Sequence, residues 1–371
     1  MTLEAAALPD QAKPDAPLQF SWLQPMVLIG LSVYNFFMRI LTLGAYHFWG
    51  KTEVRKRIWS AVRIEGEPLE YTGTGRELLR GFLVVFIAVL LPASLLSFAA
   101  AAYFGPNSIG YSVFSLLSYG LIFFLIGIGT HRAQRYRLSR TRWRGIRGTV
   151  DGSSLKYGFA HLWTALLIPP TFGWIIPWRS MYLQRILTND TRFGDRAFSF
   201  EGSAARLYKR FAVLWAGVAS IVVTVILVGG ALMGPVFRNP RALDAQSSEF
   251  WWLMAAIYLA IAIGFLIYAV LSAWYRAGQI RHFARSTRFN GAPFRSTVTA
   301  PGLVKLAFGN FFITMLSLGM LSPIAQARTA RYLVENLGME SHVEPEAIKP
   351  GSYQHTTTGE GLAQAFDVDA F

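Results

Sequence analysis

The chain has 371 residues, of which 53% are hydrophobic and 15% are charged, and its mean hydropathy is +0.35. This composition excludes an ordinary soluble globular protein and predicts a protein embedded in a lipid bilayer. The formal net charge of +14 predicts contact with anionic phospholipid, and we expect no nucleic-acid partner. Cysteine is absent, which excludes disulfides and thiolate chemistry.

The two ends of the chain differ from its apolar centre. The first residues carry Glu4, Asp10 and Asp15 among alanine and proline, without the basic start and apolar core of a cleaved signal peptide. Residues 1–20 are therefore predicted to form a disordered cytoplasmic arm. Residues 338–371 are acidic and rich in threonine and glycine, and they predict a disordered tail because this composition cannot bury a core.

Four uncharged stretches are long enough to cross about 30 Å of hydrocarbon as helices. They occupy residues 81–104, 109–129, 211–236 and 250–274. Three further apolar stretches are less regular, and they occupy residues 22–49, 157–178 and 306–324. The second of these is interrupted by Pro169, Pro170 and Gly173, which break helical hydrogen bonding.

Lysine and arginine indicate which side of the membrane each segment faces. Of the 35 Lys and Arg residues, 28 fall in four segments, at residues 50–80, 130–156, 179–210 and 275–305. The positive-inside rule places these segments in the cytoplasm. We therefore predict four spans in two hairpins, both termini in the cytoplasm, and three re-entrant or in-plane elements formed by the irregular stretches. Seven full spans are the alternative.

Two sequence blocks recur along the chain. The first is T-L-G-A-Y-H-F-W at Thr42, T-F-G-W-I-I-P-W at Thr171 and S-L-G-M-L-S-P-I at Ser317. The second has arginine at a fixed place, in contexts such as T-R-W and T-R-F. Its four copies are centred on Arg63, Arg142, Arg192 and Arg288.

The two blocks repeat with shared offsets. An offset of 129 positions relates Thr42 to Thr171, and the same offset relates Arg63 to Arg192. An offset of 146 positions relates Thr171 to Ser317, and it also relates the second and fourth arginines. This agreement predicts a parallel tandem duplication. Residues 21–163 would form repeat 1, residues 164–306 repeat 2, and residues 307–337 a partial third repeat element.

The segment after each fixed arginine is rich in turn-forming residues. Gly66, Gly145 and Gly291 stand among aromatic and branched residues there, which predicts short β-hairpins. We expect these hairpins to pair into a small sheet on the cytoplasmic side.

The fixed arginines are the candidate ligand-binding residues. Each has a second cation seven positions earlier, and these cations are Lys56, Arg135, Arg185 and Arg281. Guanidinium groups bind phosphate or carboxylate in bidentate geometry, so the eight residues predict a site for an anionic group. The alternative is that they set topology and contact lipid phosphates without a specific ligand.

The first block has two interpretations. Its glycine and tryptophan suit a tight re-entrant turn with an aromatic anchor at the membrane interface. Alternatively, its exposed backbone lines a pathway, as in interrupted transporter helices. The membrane-embedded candidates of the block are Thr42, Gly44, Thr171 and Gly173. Asn35 and Asn310 occur in matching N-F-F contexts and are predicted to bond the backbone across helices.

Two ionisable residues lie within the apolar stretches. They are Arg39 and His161, and such residues are functional candidates. The alternative is that Arg39 extends to the membrane surface and that His161 is interfacial.

Catalytic signals are weak. The six histidines lack metal-ligand spacing, and the glycine-rich run at residues 71–75 lacks the context of a nucleotide-binding loop. We therefore predict no catalytic residue, no metal and no cofactor.

Two segments in the first copy carry a family resemblance. The sequence F-W-G-K-T-E-V-R at residues 48–55 and the sequence E-Y-T-G-T-G-R-E-L at residues 70–78 resemble the YjgN-like bacterial inner-membrane family, also called domain of unknown function 898. The resemblance covers residues 18–337. It implies a multi-pass protein of the bacterial inner membrane and supplies neither a substrate nor site residues.

These observations predict an all-α polytopic membrane protein with small cytoplasmic β-hairpins. The first functional hypothesis is a small transporter or channel-like protein with a basic cytoplasmic vestibule for an anionic solute or headgroup. The alternative is a non-transporting membrane protein that binds anionic lipid or a cytoplasmic partner. An enzyme acting on lipid has less support, and no feature of the sequence predicts an oligomeric state.

Overall fold

The structure is a computed structural model, and it describes residues 17–23, 28–238, 248–341 and 345–351. Most of this part of the chain is helical. The helices are α1 Leu28–Leu41, α2 His47–Ala61, α3 Gly75–Val85, α4 Leu91–Phe104, α5 Ile109–Arg140, α6 Ser154–Leu166, α7 Ile176–Asn189, α8 Ala205–Arg238, α9 Ser248–Ser286, α10 Ala300–Leu316 and α11 Ser322–Glu335. A π-helical turn, Phe86–Leu90, joins α3 to α4.

The strands are short and antiparallel, and each pairs with its neighbours in the chain. They are β1 Phe20–Trp22, β2 Val62–Ile64, β3 Glu67–Pro68, β4 Glu70–Tyr71, β5 Thr141–Trp143, β6 Ile146–Val150, β7 Thr191–Phe193, β8 Arg196–Phe200, β9 Thr287–Phe289, β10 Ala292–Ser296 and β11 Leu337–Met339. One sheet has the order β1-β2-β3, and the other runs from β4 to β11. Leu69 connects the two sheets, since its N–H donates to the carbonyl of Val62 at 3.0 Å.

The predicted hairpins are confirmed, and their turns follow from glycine. Glu65 and Gly66 both have positive φ, as do Asn290 and Gly291. Two consecutive residues with positive φ form the type I′ turn, whose twist matches the twist of the flanking strands.

Five helical hairpins alternate with the β-hairpins. In each helical hairpin the chain leaves one strand, makes two antiparallel helices and returns to the neighbouring strand. The residue before each departure pairs with the residue after each return, and these pairs are Trp22–Val62, Tyr71–Thr141, Val150–Thr191, Phe200–Thr287 and Ser296–Leu337. All the helices therefore leave one edge of the sheet, and the β-turns lie at the other edge.

The helical hairpins are of two lengths. The long ones, α3–α4 with α5 and α8 with α9, contain the four helices of the described chain that are long and apolar enough to span a membrane. These helices are Gly75–Phe104, Ile109–Arg140, Ala205–Ala231 and Phe250–Ser286. Three of the predicted spans, 81–104, 109–129 and 250–274, lie entirely within these helices. The remaining one, 211–236, lies within α8 and overlaps Ala205–Ala231. The four apolar stretches are therefore confirmed as helices of spanning length and composition.

The short hairpins are α1 with α2, α6 with α7, and α10 with α11. Their helices have 13 to 17 residues, which corresponds to about 20–26 Å and is less than the hydrocarbon thickness. Both helices of a short hairpin also attach to the same edge of the sheet. This geometry agrees with three re-entrant elements and gives the seven-span alternative no support.

The sheet curls around an apolar interior. The ring centroids of Phe20 in β1 and Phe294 in β10 are 6.4 Å apart, so the first strand approaches the strand that pairs with the last one, β11. Leu18 and Ile348 fill this interior and are only 8% and 5% exposed.

This packing corrects the predicted termini. Residues 17–20 were expected in a disordered arm and residues 338–351 in a disordered tail, but Leu18, Met339 and Ile348 belong to the core of the curled sheet. Single apolar residues in polar segments account for the difference, because they complete a core formed by distant strands. Residues 1–16, 342–344 and 352–371 lie outside the described chain.

The predicted repeat boundaries fall inside helices. The boundary at 163/164 lies within α6, and the boundary at 306/307 lies within α10. The described chain has no break at either place, and the tandem duplication stays a prediction.

Candidate functional site

The four fixed arginines lie on one face of the sheet. Arg142, Arg192 and Arg288 are the middle residues of β5, β7 and β9, and Arg63 is the middle residue of β2. The residue after each arginine packs in the interior of the curled sheet; these residues are Ile64, Trp143, Phe193 and Phe289. Since side chains alternate along a strand, the arginines lie on the outer face. We call them the arginine row.

The register spaces the row evenly. Arg192 is opposite Ala197 in its own hairpin, and Arg288 is opposite Ser199 on the same strand, two residues further along. The same two-residue step recurs between the other neighbours in the row. Each arginine is thus displaced from the next by about 10 Å across the sheet, which is two strand spacings, and by about 7 Å along the strands. At the next corresponding place, opposite Arg295, β11 has Gly338.

The row is therefore a surface and not one compact site. A curled sheet with an apolar interior directs its outer side chains away from one another, so the four guanidinium groups share a face without meeting at a point. Arg147 and Arg295 lie on the same face, opposite Arg142 and Gly338. The sequence indicated that an arginine stands at a fixed place before each hairpin, but the spread of the arginines depends on the direction in which the sheet curls.

The local partners of the row are weak and exposed. Arg192 Nε lies 2.8 Å from Asp151 Oδ2, and Arg288 Nη1 lies 3.6 Å from Glu201 Oε2. The two arginine side chains are 53% and 47% exposed, and an exposed pair of this kind contributes about 0–1 kcal/mol. Arg63 Nη1 donates to the carbonyl of Gly66 at 2.8 Å. A phosphate can replace such partners at little cost.

Three of the four earlier cations bind the main chain. Arg135 Nε donates to the carbonyl of Val150 at 2.7 Å and Nη2 donates to that of Gly152, which is 17 residues later. Arg185 donates to the carbonyl of Gly202 at 2.9 Å, and Arg281 donates to that of Val298, again 17 residues later in each case. These bonds tie a returning helix to the start of the next one, a role that the sequence did not indicate.

The fourth earlier cation behaves differently. Lys56 pairs with Glu53 on the same helix at 2.9 Å, and both side chains are more than 40% exposed.

One polar cavity brings a residue of the row together with an earlier cation. Arg135 and Arg192 line a cavity of about 780 Å³ beside the paired strands β6 and β7. Asp151, Asp195 and Gly351 also line it, so carboxylates accompany both cations.

The Thr-x-Gly blocks form the tips of the short hairpins. Gly44, Gly173 and Gly319 have φ of 91°, 78° and 83°. Each N–H donates to the carbonyl five residues earlier, at 2.7, 2.8 and 2.7 Å respectively. Such left-handed turns end helices where the chain must reverse.

The third tip keeps this geometry although serine replaces threonine. Ser317 Oγ donates to the carbonyl of Ile313 at 2.6 Å, as Thr42 Oγ1 does to that of Met38 at 2.6 Å, and Thr171 Oγ1 makes the same bond to Leu167. These bonds support the interpretation of the block as a tight turn.

The tips carry exposed apolar side chains. Leu43, Phe172 and Leu318 precede the three glycines and are 98%, 81% and 85% exposed. The carbonyl of Phe172 accepts a bond of 2.8 Å from Nε1 of Trp215, ten residues into α8. This tip therefore lies about 15 Å along a spanning helix from the sheet.

The predicted asparagine bonds are confirmed. Asn35 Nδ2 donates to the carbonyl of Gly50 at 3.4 Å, and Asn310 Nδ2 donates to that of Ala325 at 3.1 Å. Both bonds cross from the first to the second helix of a short hairpin.

The two ionisable candidates lie apart from the row. His161 Nδ1 lies 3.0 Å from the carbonyl oxygen of Phe123 on the neighbouring α5. The side chain of Arg39 lies near the tip of the first short hairpin, within one turn of Thr42. The structure does not bring either residue to the arginines.

Sequence reasoning missed a polar cluster between the two segments that carry the family resemblance. Arg55 is 2% exposed, and its Nη1 donates to the hydroxyl of Tyr71 at 3.2 Å. Glu77 accepts bonds from Tyr136 at 2.7 Å and from Arg140 at 2.9 Å. The available signal was the position of Arg55 beside the apolar Val54 on α2, a place where an exposed cation is not expected.

A second missed group joins three helices. His131 has no exposed surface; its Nδ1 lies 3.0 Å from Ser154 Oγ, and its Nε2 lies 3.4 Å from Asp190 Oδ2. A histidine sealed in this way cannot meet a substrate, so the group links α5, α6 and the end of α7 structurally. Its members are 23 and 36 residues apart, so no local pattern identified them.

Comparison with known proteins identifies relatives without a known activity. The family described as "Bacterial protein of unknown function (DUF898)" matches residues 24–365. The chain is 21% identical over 360 residues to the "Inner membrane protein YjgN" of Salmonella typhimurium, covering 85% of this chain and 86% of that protein. No solved structure matches.

Proposed function

Because the chain belongs to the DUF898 family of bacterial membrane proteins, whose activity is unknown, we propose from its geometry that it binds the headgroups of anionic phospholipid along the arginine row. The proposal adopts the non-transporting alternative of the sequence analysis. It assigns binding and no catalysis, with no cofactor.

The observation that carries the proposal is where the row lies relative to the apolar helices. Arg142, Arg192 and Arg288 each follow the last residue of a helix by two or three positions. Those helices leave the sheet on the side where the exposed apolar tips lie. The row therefore lies at the base of the membrane-entering part, at the level expected for lipid phosphates, which guanidinium groups bind in bidentate fashion.

The same argument orients the protein. Placing the basic sheet in the cytoplasm satisfies the positive-inside rule, and the N- and C-terminal segments that enter the sheet core would lie on the same side. A tandem duplication would explain why three turns and four arginine positions share one geometry.

Transport receives less support from the long helices. In the most apolar part of each span, at most 17% of the residues are buried. The most apolar part of each span therefore makes few contacts with the rest of the described chain, which favours spans that face lipid over spans that enclose a pathway. Side chains exposed in this way are solvated by lipid.

A charge-conserving variant tests the proposal. Replacing the four arginines of the row by lysine keeps the net charge, and hence the topology. It removes the planar guanidinium groups, which bind phosphate in bidentate geometry. We expect binding of phosphatidylglycerol, measured by native mass spectrometry of the full chain, to fall by roughly tenfold relative to phosphatidylcholine. Membrane insertion should be normal.

A matched control separates specific binding from general basicity. Four exposed helix arginines outside the row, namely Arg76, Arg80, Arg206 and Arg285, are replaced by lysine in the control. Equal binding by the parent, the row variant and the control would show that the row only sets topology.

A further inference from the structure

An apolar groove lies where the second long hairpin meets the third short hairpin. It has a volume of about 780 Å³ and is formed by α8, α9 and α10. Its walls are Val213, Val270, Leu271, Trp274, Val304 and Phe308. Lys305 is the charged side chain that lines it. The groove shares no lining residue with the arginine row.

Two cations without a carboxylate partner flank the groove. The guanidinium carbon of Arg210 lies 5.7 Å from the ring centroid of Trp274, which lines the groove. In the described part of the chain, no carboxylate lies within 4.0 Å of Arg210 or Lys305. These are therefore uncompensated positive charges beside an apolar surface.

The two charges lie at one depth. Arg210 is the sixth residue of α8 and Lys305 the sixth residue of α10, so each is about 8 Å along a helix from the same edge of the sheet. Phe308 lies about one turn deeper than Lys305 along α10. The groove therefore has a cationic end near the sheet and an apolar end further into the membrane.

A comparison with the first long hairpin shows why the space exists. The offset of 146 positions matches Phe124 to Val270 and Phe159 to Lys305. Where α5 of the first long hairpin meets α6 of the following short one, the rings of Phe124 and Phe159 pack together with centroids 4.6 Å apart. Valine and lysine cannot fill the corresponding volume, so the groove occupies the place of an aromatic contact.

We propose that this groove binds one anionic phospholipid, with an acyl chain along Val270 and Phe308 and with the phosphate between Lys305 and Arg210. The charge distribution favours this occupant, because an uncharged chain or a second protein copy would leave both cations uncompensated. The proposal extends the lipid-binding function proposed above, and it stands on different residues.

Photolabelling tests the groove directly. The full chain is placed in phosphatidylcholine nanodiscs that contain a phosphatidylglycerol with a photoactivatable acyl chain, and adducts are located by peptide mass spectrometry. We expect labelling of residues 270–274 and 304–308 to exceed that by the matched phosphatidylcholine probe by roughly tenfold. Equal labelling by the two probes, or no labelling of these segments, would overturn the proposal.

Two variants identify the cause of the labelling. Val270→Phe with Lys305→Phe fills the groove and should abolish the labelling, whereas Val113→Phe with Lys156→Phe makes the same changes at exposed positions and should preserve it. Lys305→Gln leaves the groove open and should remove only the preference for phosphatidylglycerol. Labelling of the filled variant at the parent level would contradict the proposal.

The two lipid proposals fail separately. The four-lysine variant of the arginine row should label normally in the groove, and the filled-groove variant should lose only one bound lipid in native mass spectrometry. Loss of groove labelling in the row variant would show that the groove is not an independent site.

Discussion

The two junctions at which a long hairpin is followed by a short one differ in how closely their helices approach. At the first junction, between α5 and α6, a Cβ added to Gly127 would lie 2.9 Å from Cα of Gly158. At the second, between α9 and α10, the residues 146 positions after Gly127 and Gly158 are Ala273 and Val304. The first junction is thus a close contact between two glycines, whereas the second contains the groove, which Val304 lines.

The largest expected effect comes from breaking the sealed contact. Gly127→Val would place its Cβ 2.6 Å from the Cβ of His161 and close to the backbone of Gly158, which cannot move aside. We expect a loss of about 3 kcal/mol in the free energy of unfolding, measured by denaturation in detergent. Gly120→Val is the control on the same helix, because a Cβ added to Gly120 meets nothing within 4 Å. An equal loss in both variants would contradict the assigned difference in packing.

The polar interior of the first junction gives the second prediction. His131 and Ser154 correspond to Ala277 and Ala300 at the second junction. His131→Ala leaves the buried Ser154 hydroxyl without a partner and should reduce the free energy of unfolding by about 2 kcal/mol. The double variant with Ser154→Ala should lose less than the single one. A larger loss in the double variant would show that the two residues act independently.

Placing the residues of the second junction at the matching positions of the first should open the first junction. Phe124→Val with Phe159→Lys removes the aromatic contact and should reduce the free energy of unfolding by about 1 kcal/mol. It should also create labelling of residues 124–128 by the photoactivatable phosphatidylglycerol. If these residues stay unlabelled, features other than this pair form the groove.

The smallest effect is expected from closing the second junction. Val270→Phe with Lys305→Phe should raise the free energy of unfolding by about 0.5 kcal/mol in phosphatidylcholine, because an aromatic pair replaces two residues that do not pack. Thermal unfolding in matched nanodiscs measures the change. A decrease would indicate that the two aromatic rings do not fit between α9 and α10.

The sequence predicted the parts of this fold that depend on local pattern. Apolar length identified the four long helices, and glycine after the fixed arginines identified the β-hairpins. The asparagine bonds at Asn35 and Asn310 followed from matching N-F-F contexts. Each of these patterns lies within one helix or strand, or within two that are neighbours in the chain.

Features that depend on distant contacts were not predictable in this way. The bond from Arg185, a predicted member of the anion site, to the carbonyl of Gly202 joins residues 17 positions apart and was not indicated by the sequence. Leu18 and Ile348 looked like isolated residues in polar segments, because the interior that they fill is formed only when the sheet curls. The groove depends on Val270 and Lys305, which are 35 positions apart in the chain. Its origin is visible only when these two residues are compared with Phe124 and Phe159.

The pairing of each strand with its neighbours in the chain has a consequence for the order of assembly. A new β-hairpin can dock onto the preceding one as soon as its helices are inserted, so each of these pairings closes a loop of 40 to 87 residues. The packing of Leu18 beside Ile348 is the exception, since it joins segments about 330 residues apart. Folding should therefore proceed along the chain during synthesis, and the joining of these two segments should be its last and slowest step.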